Sequence, residues 1–443
     1  IIYSPIPINM CKSFKIAGLF WVLFHLNSSR AQVLDLPTCI QMADTANLQI
    51  RNANLDVLMN ERQREAYLAT RMPQLNFNAD YKYNAVIPGQ IIPASAFGGP
   101  AGVFNTVKFG VPFVLSNNLQ LTQILFNSQL NYGLAALKIN SELVGTQRDI
   151  AIQEVRYQVS NTYFLVQGVN QQLSFIEANI VHTRAILKNM EASLAQGIII
   201  PTEVDKIKIN ELSLMNMKSN LLATKDQLEN LLKILIGMPA SQQLTLSTDA
   251  MVQKTILKEA APNLLPLNLL ESQRKLNEAE GQGIRMSYLP NLNFYGIYNY
   301  NINLKPEDDF RTGIPGAFLG LRLDWNLFSG MERVNKAKLN QLNLEKIDNQ
   351  YELLNQQLNY AITTSKRQIT VKGESLDVSK EQLRLAENVY ANANLKFKEG
   401  LISSNDLIMA ETGLEQAQSN VVSSYIQLRQ AELEYLKSIG NIK

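Results

Sequence analysis

The sequence holds two histidines, His25 and His182, and two cysteines, Cys11 and Cys39. Zinc sites and histidine-based acid–base catalysis draw on more of these residues than that. There is no charge excess either. Lys and Arg number 41 against 39 Asp and Glu, so no basic face for nucleic acid is expected. No glycine loop of the phosphate-cradling kind is present. The chain is therefore not expected to be an enzyme, and no catalytic residue, metal site or cofactor is expected. Proline is missing from Phe113 to Ile200 and again after Pro315, so long helices can run through both stretches. Charged residues make up only 18% of the 443. Polarity comes largely from Asn and Gln, which suits a surface that is wet without being strongly charged.

No apolar run reaches the length of a membrane-spanning helix. The longest near the start, Ile16 to Leu26, has eleven residues and is too short for a ~30 Å hydrocarbon core. It follows Lys12 and Lys15 and precedes Ser29-Arg30-Ala31. That is the layout of a secretory signal peptide over residues 1–31, with cleavage expected between Ala31 and Gln32. Residues 1–9 lie before Met10 and are expected to precede the natural start. Cleavage removes three basic residues and no acids, turning +2 into −1. It leaves Cys39 as the single cysteine, so no intrachain disulfide is expected despite export.

The chain reads as an internal duplication. Pro73-Gln74-Leu75-Asn76-Phe77 returns as Pro290-Asn291-Leu292-Asn293-Phe294. Leu119-Gln120-Leu121 with Leu125-Phe126-Asn127-Ser128 returns as Leu321-Arg322-Leu323 with Leu327-Phe328-Ser329-Gly330. Gly197-Ile198-Ile199 with Thr202-Glu203-Val204 returns as Gly400-Leu401-Ile402 with Asn405-Asp406-Leu407. Matches at three ordered places point to a repeat, and a repeat dictates the architecture.

Each copy contains two segments of period-2 alternation, expected as strands at about 74–83 and 109–126, and at about 291–304 and 317–328. One face is apolar and aromatic, the other rich in Asn. Several approach the ~9–11 residues that a tilted membrane strand needs. Tyr81, Tyr83, Tyr298, Tyr300 and Trp325 are expected at the lipid–water boundary. Residues 84–107 and 305–316 are dense in Gly and Pro and are expected to be irregular connections.

The proline-free stretches carry heptads. Ile152, Val155, Val159, Thr162, Val166, Val169, Leu173, Ile176, Ile180, Thr183, Leu187, Met190 and Leu194 step by three and four. Leu344, Ile347, Tyr351, Leu354, Leu358 and Ala361 do the same, and the pattern slips near Lys372-Gly373 before resuming at Ala386. Helices of about 70 residues, roughly 128–196 and 331–399, are expected. At ~1.5 Å per residue they reach on the order of 100 Å and pack side by side as coiled coils. Lys and Glu between the heptad positions, and His182, are expected on solvated faces.

Four membrane strands do not close a barrel, and lipid does not tolerate an open sheet edge. Other copies of the chain must close it: two copies give eight strands, three give twelve.

With these features in hand, the sequence resembles the TolC-like outer-membrane efflux family over about residues 33–443. The resemblance rests on the duplication, the proline-led strands, the aromatic-Asn/Ser/Gly strand ends and the glycine turns. The turn from Glu399 to Ala410 is its most specific part. It implies an α+β membrane protein in which four strands per protomer complete a 12-stranded β-barrel in a homotrimer. A long α-helical coiled-coil periplasmic barrel continues it. It also implies a first repeat at 32–240, an equatorial connector at 241–262 and a second repeat at 263–443. Implied partners are outer-membrane lipid, a periplasmic adaptor (membrane fusion) protein and an inner-membrane transporter; no nucleic acid is implied. The implied function is a passive exit duct of a tripartite efflux or type I secretion system, gated at its periplasmic end.

For the gate, Pro201-Thr202-Glu203 and Ser404-Asn405-Asp406 are expected at the constriction, with Ser404 or Asn405 capping the returning helix. Glu203 and Asp406 are expected either to act only as capping acids of the returning helices or, gathered near one axis by threefold symmetry, to favour cations and make opening pH-sensitive. Gly197 and Gly400 are expected to reverse the chain, with Ile198 and Leu401 as apolar contacts for the adaptor or as packing within the turn. The rival reading is an exported coiled-coil tether or adhesin anchored by a β-barrel.

Overall fold

The computed structural model describes residues 33–247 and 262–442. The expected signal segment and most of the connector lie outside the described residues. The elements run β1 (Val33–Leu34), α1 (Leu36–Ala46), α2 (Leu48–Ala69), β2 (Gln74–Tyr83), β3 (Gly89–Pro93), β4 (Phe104–Lys108), β5 (Phe113–Phe126), α3 (Ser128–Ala195), α4 (Pro201–Ile236), β6 (Thr245–Leu246), α5 (Leu265–Met286), β7 (Asn291–Lys305), β8 (Phe310–Asp324), α6 (Glu332–Lys398) and α7 (Ser404–Ser438). No described helix is long and apolar enough to cross a membrane.

The four long strands form one antiparallel sheet in the order β2-β5-β7-β8. Register sorts most of their side chains by polarity, with Tyr295, Ile297 and Phe318 as apolar exceptions on the amide side. Leu75, Phe77, Tyr81 and Tyr83 align with Leu121, Leu119, Leu115 and Phe113, and these with Gly296, Tyr298, Ile302 and Leu304. On the opposite face Asn76 and Asn78 align with Gln120 and Asn118, and Asn118 with Asn299. Because strand side chains alternate, one apolar face and one amide face result. The two outer strands, β2 and β8, each keep an unpaired edge within the chain.

Three strand boundaries differ from the sequence reading. The second strand starts at Phe113, not 109: Pro112 has no N–H for a ladder, and Gly110 turns the chain at φ 141°. The stretch 84–107 is not wholly irregular, since β3 and β4 pair as a hairpin. Residues 310–316 belong to β8, and that strand ends at Asp324 rather than 328. Pro315 is tolerated there because β8 is an edge strand. The glycines of β8 are places for large neighbours: a Cβ on Gly313 would meet the Tyr300 ring, and one on Gly320 the Tyr295 ring.

Beyond the sheet, α3 and α6 run for 68 and 67 residues, each about 100 Å at the α-helical rise. Asn127 starts α3 by accepting hydrogen bonds from the backbone N–H of Gln129 and Leu130. The entry to α6 has no such cap; Gly330 and Met331 are both left-handed, at φ 61° and 67°. α2 and α4 pack along α3, and α5 and α7 along α6. The seam read on α3 is the buried one: Val155, Val159, Val166 and Thr183 are fully inaccessible. One core gathers α1, α3, α4 and the β1–β6 pair, including Cys39. A second sits at the far end of the helices, where Ile186, Leu187, Met190, Val204, Ile207 and Leu407 meet. α6 is half-covered at best, and Leu353, Tyr360, Val371, Val378 and Leu385 are exposed along it.

Candidate gate at the helix turns

Both long helices end in the same reversal. Gly197 and Gly400 adopt left-handed φ of 73° and 75°, conformations that cost any residue with a Cβ. The amide of Ile198 reaches back to the Ser193 carbonyl at 3.0 Å, and that of Leu401 to the Lys396 carbonyl at 2.9 Å. These bonds satisfy carbonyls that a helix end leaves bare. Ile198 and Leu401 emerge from the turns equally exposed, at 68%, while Ile199 turns inward against the core of the tip.

The returning helices start differently. α4 begins with Pro201 in its first turn and no side-chain cap at Ile200, which proline permits because its missing N–H is one the first turn does not use. α7 carries a capping box at Ser403, not at Ser404 or Asn405 as the sequence reading had it. Ser403 is the residue with extended backbone. The Asp406 amide donates to its hydroxyl at 3.2 Å, and the Ser403 amide donates to Asp406 Oδ2 at 3.1 Å.

Ser404 is thereby released for another task. It is 2% exposed, and its hydroxyl donates across to the Glu203 carboxylate of the other turn. Lys206 Nζ also donates to Glu203, at 2.8 Å. The structure so brings Glu203 beside Ser404 and leaves Asp406 to its own helix. Bonds from Lys206 and then Ser404 hold the Glu203 carboxyl below its usual range. The Ser403 hydroxyl and amide do the same for Asp406.

Sequence reasoning missed the polar contacts that join the two hairpins two turns higher. The α7 residues Leu407, Glu411, Leu414, Gln418, Val421 and Tyr425 step by four and three and all are buried. An acid and an amide at heptad positions were the available signal. Glu411 accepts from the Thr183 hydroxyl of α3 at 2.6 Å and from Asn210 Nδ2 of α4 at 2.8 Å. His182, in contrast, is exposed.

At the sheet, Tyr81, Tyr83, Tyr298 and Tyr300 lie on the apolar face and are exposed within the chain. Tyr83 and Tyr81 stack on Phe113 with centroids 4.8 and 6.1 Å apart. Trp325 falls just outside β8, and its indole N–H donates to the Tyr288 carbonyl at 3.0 Å. It pins the point where the chain leaves the sheet for α6.

No protein-family model matches the sequence, and no curated protein matches it. Solved structures do. The chain is similar to CusC, whose structures are described in terms of folding and transmembrane channel formation, with TM-score 0.72 and 15% identity over 94% of this chain and 95% of that one. It is similar to the open-state MtrE outer-membrane channel of Neisseria gonorrhoeae, with TM-score 0.71 and 15% identity over 92% and 89% of the two chains. It is also similar to the outer-membrane protein VceC of Vibrio cholerae, with TM-score 0.68 and 14% identity over 91% and 96%. Identities this low speak for architecture alone: the chain has the fold of these outer-membrane channel structures.

Proposed function

We propose that the protein is a passive duct of the outer membrane, formed by three copies, through which an efflux or type I secretion system discharges its cargo. One observation carries this reading. A two-faced sheet with both edges open is mounted on helices about 100 Å long, which themselves leave an apolar row uncovered on α6. An exported chain with such unfinished borders reaches a stable state by pairing them with copies of itself. Twelve strands then enclose an opening lined by the amide face, with the tyrosine face toward lipid.

On that face the charges largely cancel. Lys82 pairs with Asp80 at 2.9 Å and Arg322 with Asp324 at 3.5 Å. Selection by charge therefore falls to the other end, where Glu203 and Asp406 of three copies converge on one axis. There Glu203 is partly offset by Lys206 and Asp406 is not, so Asp406 dominates the preference for cations. Ile198 and Leu401 form the apolar rim on which a periplasmic adaptor docks, delivering cargo from an inner-membrane transporter.

Reconstitution into planar bilayers tests the duct. Stable, cation-preferring conductance is expected, and Glu203→Gln with Asp406→Asn should weaken the preference and raise open probability. A tether anchored in the membrane gives no stable conductance.

A further inference from the structure

Two acids of α7 play no part in the turns. Glu411 is 2% exposed and joins three helices, through Thr183 of α3 and Asn210 of α4. One turn on, Glu415 points Oε1 into a site that solvent does not reach, and that oxygen has no hydrogen-bond partner. Beside it a small cavity of about 270 Å³ is lined by Asn179, Met217 and Gln418, among others. From α6, the Tyr390 hydroxyl is likewise buried and unpartnered.

The groups facing the two carboxyls are few. α3 supplies His182, which lies close enough to act on Glu411, together with the neutral Asn179 and Thr183. α4 supplies the neutral Asn210, and α6 supplies Tyr390. The ion pairs nearby, Lys206–Glu203 and Arg184–Glu211, involve neither acid. Two carboxylates one turn apart on one helix, sheltered from water, repel each other; His182 offers Glu411 a positive charge, and among the described residues no lysine or arginine pairs with either acid.

The hydrogen bonds accommodate a proton. The Thr183 hydroxyl has one hydrogen but two acceptors in range, Glu411 Oε1 and the Asn179 carbonyl at 2.9 Å. With Glu411 neutral, its own O–H donates to Thr183, and Thr183 donates to Asn179. Glu411, Thr183 and the Asn179 carbonyl are then all satisfied.

We propose that Glu411 and Glu415 form a proton-operated latch: protonated, they keep α7 packed on α3 and α4, and on losing their protons they loosen α7 and favour opening of the tip. The inference deepens the duct reading and rests on it for the word opening. Burial, followed by the charge of Glu411, pushes the Glu415 carboxyl up to about 7. Burial also raises Glu411. A carboxyl that is harder to ionise in the packed state favours that state in acid, and the preference is lost as pH climbs from the ordinary carboxylate range toward 7. Glu203 and Asp406 have the opposite sign, being held below their usual range, so their bonds fail only in acid.

The test uses the full chain in planar bilayers, with pH on the helical side stepped from 6 to 8 at fixed salt. Open probability is expected to rise roughly tenfold in the wild type, allowing for the partial solvent access of Glu415, with a midpoint near 7. Glu415→Gln should remove that rise. A wild type indifferent to pH in this range, or a Glu415→Gln variant that keeps the rise, overturns the latch. Spin labels at the exposed positions Lys208 of α4 and Thr412 of α7 read the same event in detergent, without a channel. Their separation should widen from pH 6 to 8 in the wild type and not in Glu415→Gln; a separation unchanged by pH refutes the latch even where conductance is normal. Total absence of conductance with a pH-dependent separation refutes the duct and leaves the latch standing.

Discussion

Ser403 and Ser404 are neighbours with separate duties, and replacing each by alanine should separate them experimentally. Ser403 serves its own helix. Its hydroxyl accepts from the Asp406 amide at 3.2 Å, and losing such a cap typically costs about 1 kcal/mol. The damage should stay local, as faster hydrogen exchange at the amides of the first turn of α7. Ser404 serves the tip. Its hydroxyl is buried and donates to Glu203 of the other hairpin. A hydrogen bond to a charged group contributes about 1.5–3 kcal/mol when sheltered, and about 1 kcal/mol is a fair figure for a carboxylate whose side chain is still 27% exposed. That corresponds to roughly fivefold in the balance between closed and open tips. Ser404→Ala should therefore raise open probability about fivefold in single-channel recordings, with exchange at the α7 start unchanged. The reasoning fails if Ser403→Ala opens the channel while Ser404→Ala does not, or if neither variant alters the property assigned to it.

Other substitutions test separate links. Lys206→Gln strips Glu203 of its counter-ion and should strengthen cation preference, read as a shift of reversal potential in a salt gradient. Acidification well below the ordinary carboxylate range should release the Glu203–Ser404 bond, because that carboxyl is held low by its partners; its stabilising effect is present above the unperturbed value and lost as pH falls through the depressed one. Leu407→Ala, at a fully buried position of the tip core, should cost about 2–5 kcal/mol, seen as a lower denaturation midpoint. Met331→Gly relieves a left-handed conformation at an exposed residue and should stabilise by about 1 kcal/mol in the same assay.

Much of the fold was legible because its signals are periodic. A heptad sustained through α3 and an alternation sustained through β2 and β7 each force one outcome over many residues. The limits of β8 were not legible. Gly313, Pro315 and Gly316 read as loop punctuation, yet the outer strand of the chain's sheet tolerates proline, and Gly313, diagonal to Tyr300, gives that ring a place to lie. The turns were legible through Gly197 and Gly400, whose left-handed φ only glycine adopts cheaply. The division of labour between Ser403 and Ser404 was not, since both are good caps. Only the approach of the second hairpin decides which one turns to Glu203. Glu411 was overlooked for a related reason. Its heptad position is visible in the sequence, but its partners Thr183 and Asn210 lie 228 and 201 residues away.

The central claim is that one chain is an unfinished wall and that copies of it complete a conduit. The mass of the detergent-extracted full-length assembly, measured by native mass spectrometry, tests this most directly. Three protomers per particle are predicted; a stable, folded monomer as the predominant species would contradict the account.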